Sequence, residues 1–106
     1  MQVKIVPLVG VLDASRTDSF RQEIISFMQT EANVILIDFA GVTFMDSSGL
    51  GAIVLALKTV NAAGKKLYLC SISQQVEMLF NLTNMNRVFK IYSNSDEFQR
   101  QLINEK

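Results

Sequence analysis

Histidine and tryptophan are absent from this 106-residue sequence, and cysteine and proline occur once each. A structural zinc site needs several Cys and His ligands, so these counts exclude one. The single cysteine, Cys70, cannot form a disulfide within the chain. It lies in the apolar run Lys66–Cys70, which predicts a buried and unreactive thiol. These features fit a reducing compartment.

Neither sign of charge is in excess, because ten Lys and Arg residues balance ten Asp and Glu residues. Nucleic-acid binding draws on surplus positive charge, so we expect no direct contact with nucleic acid. No apolar run approaches the roughly 20 residues that cross a bilayer, and the N-terminus does not have the pattern of a signal peptide. By elimination, the sequence predicts a cytoplasmic protein without a membrane segment.

The composition is that of a globular protein, with 49% hydrophobic and 19% charged residues. Its length suits one compact domain, which we expect to cover residues 1–106.

Short apolar runs alternate with longer amphipathic stretches, which predicts an α/β fold with a mixed β-sheet and about four helices. The β-branched run Asn33–Asp38 is typical of a central strand, whereas Pro7 places part of the first strand at an edge or a break in the sheet. The predicted strands cover residues 3–9, 33–38, 67–71 and 88–92, and the predicted helices cover residues 17–29, 46–62, 74–82 and 96–102. The apolar stripe expected along the second helix consists of Leu50, Ile53, Val54 and Leu57.

The most informative segment lies where a loop enters the second helix. Asp46 is a good N-cap, and Ser47 and Ser48 then fall in the first turn, where free backbone N–H groups favour negative charge. Gly49 and Gly51 each cost a helix about 1 kcal/mol relative to alanine, which indicates that another backbone or a nucleotide approaches closely. Taken alone, Asp-Ser-Ser-Gly is also what a frayed helix start looks like.

The longer context resembles the STAS domain of bacterial anti-sigma-factor antagonists, and the resemblance runs from Val3 to Leu102. Residues 8–13 resemble the first conserved strand and turn of that family, and residues 34–51 are similar to its signature throughout. Residues 71–76, Leu79-Phe80 and residues 96–98 match later family segments. Two departures stand out: family members usually carry one more N-terminal strand, and Asn84 stands where many have glycine.

The resemblance implies a single STAS-type domain in which Ser47, the first serine of the motif, accepts a phosphate; Ser48 is the weaker candidate. It also implies an anti-sigma-factor serine kinase that uses ATP, and a PP2C-like phosphatase that reverses the modification. The unphosphorylated protein would bind the anti-sigma factor and regulate bacterial transcription indirectly by partner switching, with no cofactor of its own. The partner-binding residues implied are Asp13, Asp46, Ser47, Ser48, Gly49 and Gly51.

The sequence has features that three other functions share in part. A phosphoaspartate receiver needs clustered acids that hold a divalent metal, but Asp13, Asp38 and Asp46 are scattered along the sequence. An enzyme is not expected, because no histidine or other evident base could activate a nucleophile. The alternative that stays open shares the fold: a STAS subunit of a transporter or a lipid-transfer complex, which needs no phosphorylation.

Overall fold

The computed structural model describes residues 2–104. Short helices of one 3₁₀ turn precede the first α-helix and the last strand, at Ala14–Arg16 and Met85–Arg87. The main elements in chain order are β1 (Val3–Leu12), α1 (Thr17–Met28), β2 (Val34–Met45), α2 (Ser47–Ala62), β3 (Lys66–Cys70), α3 (Gln74–Leu82), β4 (Ile91–Tyr92) and α4 (Ser95–Asn104).

The four strands form one sheet in the order β1-β2-β3-β4, and each neighbouring pair is parallel. The α/β fold with four helices is therefore confirmed, whereas the mixed sheet is corrected to a parallel one over residues 2–104. The physical reason is the connectivity: a helix joins each strand to the next and returns the chain to the same end of the sheet, which gives parallel pairing.

Side chains of β2 alternate between the two faces of the sheet, and both faces are covered. Ile35 and Ile37 belong to the larger core, which packs under α1, α2 and α3, while Val34 and Leu36 point to a smaller core with Phe98 of α4. This burial on both sides explains the continuous apolar run in the sequence. The smaller core also takes in Cys70, which is fully buried as predicted, and burial raises the pKa of its thiol.

One predicted feature of α2 needs correction. Leu50 and Ile53 are buried as expected, but Val54 and Leu57 are only half-buried and pack at the edge of the core. Ala56 and Val60 take their places as the buried residues of the following turns. Ala56 also lies beside α1, where its small side chain lets the two helices approach each other.

The ribbon formed by β1 and β2 is longer than the sequence predicts. Its register runs from Val3 opposite Val34 to Leu12 opposite Met45, with irregularities after Pro7 and after Gly10. β1 is an edge strand, which confirms the position expected from Pro7. The extension of both strands sets the start of α1 and the start of α2 side by side at the carboxyl end of the sheet.

Candidate functional site

The first turn of α2 begins at Ser47, as predicted, and Asp46 caps it. The backbone of Asp46 is extended, and its Oδ1 accepts a hydrogen bond from the Gly49 N–H at 3.1 Å. Ser47 and Ser48 are both exposed. Within residues 2–104, neither hydroxyl makes a hydrogen bond, so each is accessible to an external reagent at the positive end of the helix dipole.

Asp13 and Asp46 lie side by side at the end of the sheet. Asp13 follows Leu12 and Asp46 follows Met45, and these two residues form the last pair between β1 and β2. The Oδ1 of Asp13 accepts hydrogen bonds from the hydroxyl and from the backbone N–H of Ser15, the latter at 3.0 Å. These bonds, with the hydroxyl contributing most, hold the pKa of the Asp13 carboxyl below its usual value. Two negatively charged caps therefore stand at this end of the ribbon.

The two glycines of the motif have different surroundings. Gly49 is buried, and a Cβ there would collide with the carbonyl oxygen of Leu12 and lie 2.8 Å from Cγ of Met45. Gly51 is exposed, and a Cβ there would meet no atom of the described residues within 4 Å. At Gly49, the close approach of another backbone that the glycines predict is therefore internal, made by the end of β1.

Gln75 supports the site from α3, a role that the sequence does not reveal. Its Oε1 accepts a hydrogen bond from the N–H of Met45 at 3.0 Å, and its Nε2 donates to the carbonyl oxygen of Met45 at 2.8 Å. The residue held in this way immediately precedes the cap Asp46. The sequence offers only a positional signal: Gln75 lies in the first turn of the helix after β3, and the carboxyl ends of adjacent parallel strands meet at one edge of a sheet.

The structure brings four of the predicted residues together at one end of the ribbon. Asp13 lines the same small cleft as Gly49 in the first turn of α2, next to Ser47 and Ser48. We call this region, made of Asp13, Asp46, Ser47 and Ser48, the Ser47 surface. Gly51 follows one helical turn later on the exposed side of α2, and Gly49 lies beneath the surface.

A phosphoaspartate receiver finds no support in the geometry. Over residues 2–104, no three or more Cys, Asp or Glu side chains are gathered so that they could hold a metal ion. Asp38 lies inside β2 rather than at its end, and its Oδ1 accepts from the N–H of Ala40 at 2.9 Å. In the same range, no helix has the length and apolar character required to span a membrane.

Comparison with known proteins identifies the family. The family model described as STAS domain matches residues 2–98. The chain belongs to the STAS family. The anti-sigma F factor antagonist of Paenibacillus polymyxa is 31% identical over 93 residues, which cover 87% of this chain and 80% of that protein.

Solved structures agree on the STAS fold. A crystal structure of a candidate anti-sigma factor antagonist from Thermotoga maritima superposes with a TM-score of 0.81 at 29% identity, covering 92% of this chain and 86% of that one. A sulfate transporter family protein from Wolinella succinogenes reaches a TM-score of 0.82 at only 16% identity, covering 98% and 88% of the two chains. At 16% identity the likeness shows the STAS fold alone. The relatives at higher identity are anti-sigma factor antagonists, and they favour that function over a transporter subunit.

Proposed function

We propose that this STAS protein is an anti-sigma-factor antagonist that is switched by phosphorylation of Ser47. Unphosphorylated, it binds an anti-sigma factor through the Ser47 surface and so regulates transcription indirectly. The anti-sigma factor is itself the serine kinase, and a PP2C-like phosphatase restores the free hydroxyl. The protein acts in the cytoplasm through binding alone, without a cofactor and without catalysing a reaction.

The observation that carries this proposal is the position of the Ser47 hydroxyl. It is the first residue of α2, directly after the cap, and it is exposed without a hydrogen-bond partner among residues 2–104. A kinase can therefore reach Oγ without unfolding the domain. Ser48 is exposed as well, so the choice of Ser47 over Ser48 rests on the resemblance of the motif.

The chemistry is a phosphoryl transfer in which the protein is the acceptor. The Oγ of Ser47 forms a bond to the γ-phosphorus of ATP, the bond from that phosphorus to the β–γ bridging oxygen breaks, and ADP leaves. The hydroxyl proton passes to a base that the kinase supplies. The phosphatase reverses the change by hydrolysis and releases inorganic phosphate.

The phosphate changes the partner surface more than the fold. It adds about −1.5 to −2 charges, which the free N–H groups and the dipole at the start of α2 accommodate. Asp13 and Asp46 already place carboxylates at this end of the sheet. A partner that packs against this surface would have to bury a cluster of negative charge, which costs binding energy.

Phosphopeptide mapping tests the proposal. The protein is incubated with ATP and the serine kinase encoded nearest to its own gene, and the modified residue is identified by mass spectrometry. The wild type and Ser48→Ala should each gain one phosphate, and Ser47→Ala should gain none. A phosphate on Ser48 or Thr43 would refute the assignment of the acceptor, and an unmodified wild type would favour a STAS subunit of a transporter or lipid-transfer complex.

A further inference from the structure

An apolar groove runs between α1 and α2 on the outside of the domain. Its cavity volume is about 490 Å³, in the range of binding pockets. Two large side chains on its walls are notably open to solvent: Leu55 of α2 is 57% exposed, and Ile25 of α1 is 42% exposed. The floor and walls are formed mainly by Phe20, Ile24 and Ile25 of α1 and by Ala52, Leu55 and Ala56 of α2.

The groove is continuous with the Ser47 surface. Because β1 and β2 are parallel, α1 and α2 both start at the carboxyl end of the sheet, and Thr17 and Gly51 line the groove near those starts. A smaller cleft that reaches Asp13 shares Thr17, Phe20 and Ala52 with the groove. A protein that covers Ser47 therefore also lies next to the end of the groove that is formed by the starts of α1 and α2.

Gly51 supplies an independent reason to look for a ligand here. Glycine is among the least favourable residues for a helix interior, yet among the described residues no atom would obstruct a side chain at this position. Packing explains glycine at residue 49 and does not explain it at residue 51. A bare helix surface at the rim of the groove allows a second backbone to approach α2 closely.

We propose that the groove between α1 and α2 docks an amphipathic helix of the anti-sigma factor that covers Ser47. The inference rests on the proposed function and adds a second contact region to it. From Thr17 to Ile25 the groove wall is nine residues long, or about 12 Å, which matches roughly two turns of a docked helix. Such a helix presents apolar anchors one turn apart, and these fill the space beside Leu55 and Ile25.

The rim of the groove also specifies the charges of the docked helix. Asp18 and Arg21 lie on the α1 side, one turn apart, with Asp18 nearer the Ser47 surface. The partner helix accordingly carries a basic residue opposite Asp18 and an acidic residue opposite Arg21. This pairing fixes its direction and register along the groove, because exchanging the two ends would bring like charges together.

Titration calorimetry with the serine kinase encoded nearest to this protein's gene tests the groove. Leu55→Ala should weaken binding at least about tenfold, as expected for an anchor position. Leu82→Ala is the matched control, because Leu82 is 77% exposed on α3, away from the groove, and its loss should change binding less than about twofold.

Gly51→Ala separates docking from folding. The substitution should raise the melting temperature of the free protein by about 2–8 °C, because alanine favours the helix, while it weakens kinase binding several-fold. A merely structural role of Gly51 would raise the melting temperature and leave the affinity for the kinase unchanged.

The outcomes distinguish this inference from the function on which it rests. If the wild type binds the kinase and both Leu55→Ala and Gly51→Ala bind equally well, the groove is not a docking site, although the Ser47 switch stands. If the wild type does not bind the kinase, the proposed function and the groove fall together. Sedimentation of a free wild-type dimer that Leu55→Ala converts to a monomer would assign the groove to self-association and overturn the proposal.

Discussion

The carbonyl oxygen of Leu12 lies against the α-carbon of Gly49 and leaves no room for a side chain there. The same oxygen accepts a hydrogen bond from the N–H of Asp46 at 3.2 Å, so the end of β1 is fixed to the start of α2 on two sides. The glycine in the motif is therefore a requirement of packing, and the position of the Ser47 surface depends on it.

Gly49→Ala should destabilise the protein by about 1–3 kcal/mol, because the new methyl group must displace the Leu12 backbone or the side chain of Met45. Gly51→Ala is the matched control in the same helix and should stabilise it by about 0.5–1 kcal/mol. Urea unfolding of the two variants checks both signs. Equal effects of the two substitutions would show that Leu12 does not constrain Gly49.

Gln75→Ala should cost about 1–3 kcal/mol, because it leaves the backbone N–H and carbonyl of the buried Met45 without their partner. The neighbouring Gln74 is exposed, and Gln74→Ala should stay within about 0.5 kcal/mol of the wild type. Hydrogen exchange gives the local readout: the amide of Met45 should exchange faster in Gln75→Ala. Unchanged protection of that amide would mean that Gln75 does not hold the strand end.

The contribution of Asp13 should depend on pH. The pKa of its carboxyl is lowered from 3.8 because the Ser15 hydroxyl and N–H donate to the ionised form. A lowered pKa in the folded state gives stability that is fully present at neutral pH and is lost as the pH falls below 3.8 through the folded value. Asp13→Asn should therefore be less stable than the wild type at neutral pH, and the difference in urea titrations should shrink as the pH is lowered progressively below 3.8. A difference that stays constant across this range would contradict the assignment.

Local signals in the sequence predicted the elements that carry the switch. The bounds of α3 agree at residues 74–82, and Asp46 caps α2 as its residue type suggests. β2 continues to Met45 instead of ending at residue 38, although Ala40 and Gly41 interrupt the apolar pattern. Pairing with β1 across two irregularities supplies that extension, and such long-range pairing leaves no trace within the segment itself.

Further features depend on local backbone geometry or on contacts that only the fold creates. The strand predicted at residues 88–92 covers only Ile91–Tyr92 in the structure. A 3₁₀ turn precedes it, and Val88 is 51% exposed instead of packed in the sheet. Asn84, the residue that the sequence analysis marks as a departure from the family pattern, has a positive φ of 62°, a conformation that asparagine tolerates better than most residues. The bonds between Gln75 and Met45 join residues 30 positions apart, and only the fold brings them together.

The central claim is that charge at Ser47 controls binding without unfolding the domain, and Ser47→Asp tests it most directly. Thermal melting of the free variant and calorimetry with the kinase are measured together, with Ser47→Asn as the uncharged control of similar size. We expect the free energy of unfolding to change by less than about 1 kcal/mol, because the N-terminus of α2 favours a negative charge.

Kinase affinity should fall about thirtyfold or more in Ser47→Asp, because an interface that gains an unpaired charge loses about 2–5 kcal/mol. Ser47→Asn should remain close to the wild type in both measurements. A Ser47→Asp variant that melts normally and binds the kinase as tightly as the wild type would contradict the account, since charge at Ser47 would then have no effect on the partner.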